Sequence, residues 1–161
     1  MEKELEILKT AIINEVEGYS FYRLAAEKAD NPEVKESFNN LAEEEKRHED
    51  WLRGLYQYIS QGERVQARAD EPQGKSPGIF RGENITYESG SLEVSVLRIG
   101  ILMEKASIDF YREAAEKTEN PEAKKLYEKL VNWEIHHMDS LEKAYDEAKE
   151  DWWERQGFSP A

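Results

Sequence analysis

The sequence contains no cysteine, which excludes disulfide bonds, cysteine nucleophiles and every metal centre held by thiolates. Positive charge is also scarce: 22 basic residues face 35 acidic ones, so the net charge is −13. Because this charge repels phosphate at long range, nucleic acids and anionic membranes are expected to be poor partners. No apolar run approaches membrane length, and the charged N-terminal segment lacks the apolar stretch of a signal peptide. These absences predict a soluble cytoplasmic protein.

The chain has 161 residues, of which 39% are apolar, enough for a single domain, residues 1–161, with a substantial core. Within it, residues 15–52 align without gaps onto residues 104–141 at a constant offset of 89. Both copies contain Phe-Tyr-Arg, a pair of alanines, Asn-Pro-Glu, and a Glu three residues before a His. Two copies are too few for a solenoid. The repeat therefore predicts two copies of one helical hairpin.

The turn of each hairpin is marked by an Asn-Pro pair, Asn31-Pro32 in the first copy and Asn120-Pro121 in the second. Asn is a favoured N-cap residue, and Pro is favoured at the first helical position. We therefore expect helices to end near Ala29 and Thr118 and to resume at the two prolines. Such short connections make the two helices antiparallel neighbours.

Between the copies, residues 61–90 hold five of the nine glycines and two of the five prolines, so no helix can continue through them. Thirty extended residues reach up to ~100 Å, whereas a 28-residue helix is ~42 Å long. The segment can therefore run the length of a bundle, which makes the second and third helices parallel. The prediction is an all-α four-helix bundle: hairpins at about 2–60 and 91–150, one long crossover at 61–90, and a C-terminal tail at 151–161.

Each predicted helix carries an apolar stripe at heptad spacing that is interrupted at mid-length by ionisable residues. These residues are Glu15, Glu45, His48, Glu104, Glu134 and His137. An unpaired buried ion costs several kcal/mol, and the stripes offer no Lys or Arg to neutralise the carboxylates. Two divalent cations would balance the four carboxylates, and Glu and His at i, i+3 can face one ion. The pattern therefore predicts a two-metal site.

Two neighbouring residues are alternatives to this ligand set. Glu44, four residues before His48, could also face an ion, but the equivalent position in the second copy is Trp133, so only the acid at i−3 is retained. His136 lies ~100° around the helix from its neighbour His137 and is predicted to be solvated. A single polar core residue can serve only to set helix register. Six such residues, symmetric under the repeat, favour a metal site.

With these residues in place, the chain resembles the rubrerythrin-like branch of the ferritin-like di-iron carboxylate proteins. The resemblance covers roughly residues 5–58 and 92–148, with one Glu or one Glu-x-x-His per helix in the family's order. It implies a ferritin-like bundle that holds two iron ions, or alternatively manganese. In the family, the two Glu-x-x-His glutamates, here Glu45 and Glu134, bridge the metals. Each lone glutamate then shares one metal with a histidine: Glu15 with His48, and Glu104 with His137.

The resemblance implies an oxidoreductase that reduces hydrogen peroxide or dioxygen. Many such proteins carry a Cys-ligated rubredoxin domain as electron relay, which this chain lacks, so an external reductase or rubredoxin-like protein is the expected donor. Ser107 stands where these rubrerythrins usually have an extra ligand Glu, which predicts an open coordination position. The alternatives are a ferroxidase or iron-storage protein and an oxygenase of an organic substrate. A homodimer is expected on family grounds.

Two tyrosines lie two turns after the lone glutamates on the same stripes, Tyr22 after Glu15 and Tyr111 after Glu104. As core aromatics, their hydroxyl groups require a hydrogen-bond partner. A ligand carboxylate is the partner that would give them a function, because such contacts orient metal ligands. The two tyrosines are also predicted to supply protons to the reaction.

Overall fold

The structure is a computed structural model that describes residues 2–61 and 92–157. It contains four long helices and, within those two ranges, no β-strand. The helices are α1 (Glu2–Lys28), α2 (Pro32–Gln61), α3 (Leu92–Lys117) and α4 (Pro121–Arg155). The all-α class and the helix limits at both Asn-Pro turns are confirmed. None of the four described helices contains an apolar stretch long enough to cross a membrane.

The direction of the helices follows from contacts between the two hairpins. Tyr22 of α1 contacts Glu104 of α3, and Glu15 of α1 contacts Tyr111 of α3. Since the residue number rises along α1 as it falls along α3, these two helices are antiparallel. Each is also antiparallel to its hairpin partner, so α2 and α3 run parallel, as predicted. The crossover predicted at 61–90 lies, apart from its first residue, outside the described residues.

The apolar core consists of two clusters, one toward each end of the bundle. One cluster includes Leu8, Leu52, Tyr127 and Leu130, and the other includes Phe38, Leu41, Leu97 and Leu141. The mid-length positions between them are taken by the ionisable residues of the four stripes. Burial of the apolar stripes on both sides therefore holds these polar side chains inside the bundle.

Both Asn-Pro turns form the predicted caps. The Asn31 side-chain oxygen accepts hydrogen bonds from the backbone N–H groups of Glu33 (2.8 Å) and Val34 (3.3 Å). Asn120 accepts the corresponding bonds from Glu122 (2.9 Å) and Ala123 (3.0 Å). These bonds satisfy amide groups that have no partner within the helix, and so determine where α2 and α4 begin.

We expect Asn120→Ala to lower the free energy of unfolding by about 1 kcal/mol, because two amides of the first turn lose their acceptor. Urea denaturation measures the change. Asn132→Ala is the matched control: Asn132 is exposed inside α4, where Ala has the higher helix propensity, so this variant should gain up to about 0.5 kcal/mol. Equal effects of the two substitutions would contradict the capping role.

The C-terminal boundary of the second hairpin differs from the prediction. α4 continues through residues 151–155, which were expected to belong to the tail. These residues contain no Gly or Pro, and the helix ends just before Gly157, which adopts a left-handed φ of 75°. Trp152 and Trp153 therefore lie on the helix, with ring centroids 4.7 Å apart. Residues 158–161 lie outside the described part, and the assignment of 1–161 to one domain stays a prediction.

Candidate metal centre

The six ionisable residues predicted from the stripes come together at the centre of the bundle. They form two groups that share Glu45 and Glu134. The first group adds Glu15 and His48, and the second adds Glu104 and His137. In each group, one ligand atom from every residue lies within 4.8 Å of all the others. All six side chains are at most 3% exposed, so the cluster is shielded from bulk water.

The two histidines point the same ring nitrogen, Nδ1, at the carboxylates. His48 Nδ1 lies 3.2 Å from a Glu15 oxygen, 3.3 Å from Glu134 Oε1 and 3.8 Å from Glu45 Oε2. His137 Nδ1 lies 3.0 Å from Glu134 Oε2, 3.3 Å from Glu45 Oε1 and 3.7 Å from a Glu104 oxygen. Glu45 and Glu134 therefore each direct one oxygen toward each imidazole, the arrangement that a bridging carboxylate requires.

Several atoms at the centre of this cluster are buried without a hydrogen bond. Among the described residues, both carboxylate oxygens of Glu134 and Nδ1 of His137 have no partner of acceptable geometry. Buried polar atoms are normally paired, because leaving one unpaired costs free energy. A divalent cation bound between the carboxylates and imidazoles would satisfy all three atoms. Mixed oxygen and imidazole donors suit Fe(II) and Mn(II), so the residues fit the predicted metals.

The two tyrosines bond across the bundle to the other hairpin. Tyr22 donates its hydroxyl hydrogen to Glu104, and Tyr111 donates to Glu15. Burial raises the pKa of both hydroxyls, as does the negative charge of Glu104 near Tyr22 and of Glu15 near Tyr111. Both phenols therefore remain protonated donors, and each orients a lone glutamate of the other repeat. That they supply protons to a reaction stays a prediction.

The buried carboxylates shift one another's pKa values. Burial, followed by the charges of Glu134 and Glu15, raises the pKa of Glu45 well above its ordinary value. Burial and the charge of Glu134 raise the pKa of Glu104 to about 8. Burial also acts to raise the pKa of Glu134, but the close contacts with the imidazoles of His137 and His48 outweigh it and lower this pKa. Without metal, Glu134 therefore stays ionised between the two imidazoles.

The imidazoles take up protons for the complementary reason. Burial alone would lower the pKa of His48, but contacts with the Glu134, Glu15 and Glu45 carboxylates outweigh it and raise the pKa to about 12. The pKa of His137 is raised in the same way, against its burial, by the surrounding carboxylates. The metal-free cluster therefore holds protons at neutral pH that bound cations would displace.

We expect the metal-free protein to lose stability as the pH rises from 6.5 to 8. The pKa of Glu104 is about 8 in the folded state and 4.5 ordinarily. Its protonation therefore stabilises the folded state fully below pH 4.5, and this stabilisation is lost as the pH rises through 8. The pKa of His48 is about 12 in the folded state and 6.5 ordinarily. Its protonation therefore stabilises the folded state fully below pH 6.5, and this stabilisation decreases as the pH rises above 6.5. Each extra proton bound by the folded state gives a slope of about 1.4 kcal/mol per pH unit.

Urea denaturation in the presence of a chelator at the two pH values measures this slope. Glu104→Gln should make the slope shallower, because the amide cannot take up a proton. Glu116→Gln, an exposed change on the same helix, should leave it unchanged. Stability that is constant or rising over this interval in the unsubstituted protein would contradict the protonation pattern.

Two residues at the cluster were not predicted to contact it. Asn14 is buried and donates a hydrogen bond to the Ser107 hydroxyl (3.1 Å), with a longer contact to Glu15 (3.5 Å). Glu44, rejected above as a ligand, lies 2.6 Å from Nε2 of His137. The repeat could not reveal Asn14, because the equivalent residue is Met103. The sequence signal that could have indicated Asn14 is its position directly before the predicted ligand Glu15.

The comparisons with known proteins agree with this architecture. The family model of Rubrerythrin matches residues 6–145. The protein belongs to the rubrerythrin family. Membership confirms the predicted resemblance and the ferritin-like four-helix bundle. Together with the buried Glu and His cluster, it indicates a metal-binding domain of a di-iron carboxylate family.

Solved structures give this rubrerythrin-family chain several neighbours. A hypothetical protein from Pyrococcus furiosus is 28% identical, with a TM-score of 0.68 and coverage of 89% of this chain and 88% of the other. An uncharacterised conserved protein from Magnetospirillum magnetotacticum is 21% identical, with a TM-score of 0.64 and coverage of 89% and 93%. CopM in its Cu(II)-bound form is 15% identical, with a TM-score of 0.64 and coverage of 89% and 96%. The last two share only the fold, and no curated protein matches the sequence significantly.

Proposed function

We propose that this protein is a di-iron oxidoreductase that reduces hydrogen peroxide, or dioxygen, with electrons from an external donor. The observation that carries the proposal is the pair of shared carboxylates, Glu45 and Glu134, which each offer one oxygen to either half of the cluster. Glu15 and His48 would complete one metal position, and Glu104 and His137 the other. A pair of ferrous ions held there would supply two electrons, the number that, with two protons, converts one hydrogen peroxide to two waters. Manganese is the alternative metal.

The surrounding residues would prepare the cluster for this reaction. Burial excludes bulk water, which strengthens the attraction between the carboxylates and bound cations. Tyr22 and Tyr111 hold the two lone glutamates through hydroxyl hydrogen bonds and so limit their rotation. Because these phenols remain protonated and donate to Glu104 and Glu15, we propose them as the source of protons for the reaction.

Anaerobic loading with Fe(II), followed by stoichiometric hydrogen peroxide, tests the proposal. We expect rapid appearance of a diferric absorption band, with two irons oxidised per peroxide consumed. Glu128→Gln, an exposed change on α4, is the control and should react as the unsubstituted protein does. Iron that binds but is not rapidly oxidised would exclude the peroxidase function.

A ferroxidase or storage function is the second candidate, and the residue at position 107 favours it. The extra glutamate of the rubrerythrins that this chain resembles is replaced by Ser107, whose hydroxyl is bonded to Asn14. Storage requires a closed shell of many subunits, whereas peroxide reduction at one buried centre requires none. Native mass distinguishes them: a dimer favours the oxidoreductase, and a large cage favours storage.

An oxygenase of organic substrates receives less support. A cavity of about 600 Å³ opens between α2 and α4 and is bordered by Trp51, Trp133, His48 and His137. None of the four glutamates of the cluster is among the described residues that border it. Of the six clustered residues, His48 and His137 border the cavity, so an organic substrate bound there would meet imidazole rings rather than the carboxylates.

We also propose the cellular setting that this function requires. The chain has no cysteine for an electron relay of its own, so a reductase or rubredoxin-like protein would supply the electrons. We propose that the protein forms a homodimer in the cytoplasm. We propose neither nucleic acid nor a membrane as a partner. Native mass tests the homodimer, and cross-linking to a purified reductase tests the electron donor, both independently of the peroxide assay.

A further inference from the structure

The two histidines of the cluster occupy equivalent positions in the repeat, yet their outer sides face different residues. At the offset of 89, Glu44 corresponds to Trp133, and Trp51 corresponds to Ser140. Glu44 contacts His137, whereas Trp51 and Trp133 both stack near His48. The repeat is therefore symmetric in its six proposed ligands and asymmetric immediately outside them.

On the His137 side, a carboxylate holds the ring nitrogen that faces away from the cluster. Glu44 Oε2 lies 2.6 Å from Nε2 of His137, while Nδ1 of the same ring lies 3.0 Å from Glu134. The other oxygen of Glu44 lies 3.5 Å from the Arg47 guanidinium, which helps to hold the carboxylate in place. A hydrogen on Nε2, bound by Glu44, leaves Nδ1 free to donate its lone pair to a metal.

On the His48 side, aromatic rings take the place of that carboxylate. The ring centroids of Trp133 and Trp51 lie 5.3 and 5.7 Å from the His48 ring, at interplanar angles of 23° and 30°. Trp133 and Trp51 also stack on each other, with centroids 4.4 Å apart. Within residues 2–61 and 92–157, no carboxylate is hydrogen-bonded to Nε2 of His48. Stacking limits the rotation of this ring but provides no negative charge.

We infer that Glu44 is a positioning residue for His137 and makes the two metal positions unequal. The inference rests on the metal centre of the proposed function. A carboxylate on the outer nitrogen orients the imidazole and increases its basicity as a ligand. The ion held by His137 and Glu104 is therefore bound more tightly than the ion held by His48 and Glu15. This difference in affinity comes from one position of the repeat, which is Glu44 in the first copy and Trp133 in the second.

Calorimetric titration with Co(II) alone, followed also by its visible absorption, tests the inference. Glu44→Ala should weaken binding of one ion by about 10–100-fold and leave the other ion within about twofold. Glu44→Gln should fall between Glu44→Ala and the unsubstituted protein, because its amide oxygen still accepts a hydrogen bond but carries no charge. Glu43→Ala removes an exposed acid one residue away and should have no effect.

A double-mutant cycle assigns the weakened ion. In a His48→Ala background, Glu44→Ala should still weaken the remaining ion, and the absorption spectrum of that ion should change. In a His137→Ala background, Glu44→Ala should have no effect. If the unsubstituted protein binds two Co(II) ions but Glu44→Ala weakens neither, or weakens both equally, the inference is overturned and the metal centre stands. If the unsubstituted protein binds no Co(II), both are overturned.

Discussion

Replacing Glu134 by Gln is expected to remove both metal ions, whereas replacing His137 by Ala should remove mainly one. Glu134 directs one oxygen toward each imidazole, so both proposed positions depend on it. Gln preserves the shape of the side chain but removes its charge and replaces one oxygen with an NH₂ group, which cannot bind a cation. Elemental analysis of protein purified without added metal should fall from about two ions per chain to nearly none.

Glu128→Gln is the matched control, since it makes the same chemical change at an exposed position of α4. It should retain the metal content of the unsubstituted protein. Glu45→Gln, at the equivalent position of the first repeat, should behave as Glu134→Gln does. A Glu134→Gln protein that retains one full equivalent of metal would show that this carboxylate belongs to one position only.

Removal of the metal is expected to lower the melting temperature by about 10–20 °C. An ion that binds only the folded state stabilises it by about 2.7 kcal/mol when its free concentration is 100 times the dissociation constant. For a chain of this size, each kcal/mol shifts the melting temperature by about 2–4 °C, and two ions contribute. After loss of the cations, the buried carboxylates are balanced only by protons taken up within the cluster, at the two histidines, Glu45 and Glu104.

Thermal unfolding with and without a chelator measures this shift. The Glu134→Gln variant provides the control, because a protein that cannot hold metal should melt at the same temperature in both conditions. A chelator that removes all metal from the unsubstituted protein without changing its melting temperature would show that the ions do not stabilise the bundle.

Much of the fold is encoded in features that act locally along the chain. Asn31-Pro32 and Asn120-Pro121 begin α2 and α4 at the predicted residues, because the cap and the proline act on their own helix turn. The length of the connection predicts that α2 and α3 run parallel, and the contacts of Tyr22 with Glu104 and of Tyr111 with Glu15 confirm it. The end of α4 was placed five residues early, because residues 151–155 have a composition that a helix also tolerates.

The six clustered residues were predictable for a related reason. Each interrupts an apolar stripe, and a stripe determines which side of its own helix is buried. The repeat then separated Glu45 from its neighbours Glu43 and Glu44, because only the acid at that position recurs. Heptad spacing and internal symmetry were therefore sufficient to bring four carboxylates and two imidazoles to one level of the bundle. Their binding of metal stays a prediction.

The sequence by itself determined the helices, their turns and the residues that face the centre, because each depends on local signals or on periodicity within one helix. The lengths of the connections predicted the direction of the helices. Only the tertiary structure decided which residues contact one another across helices. Tyr22 bonds to Glu104 rather than to Glu15 on its own helix, and Glu44 contacts His137 of α4. The physical reason is that such contacts depend on the rotation and axial offset of neighbouring helices, which packing of the whole core determines and heptad spacing does not.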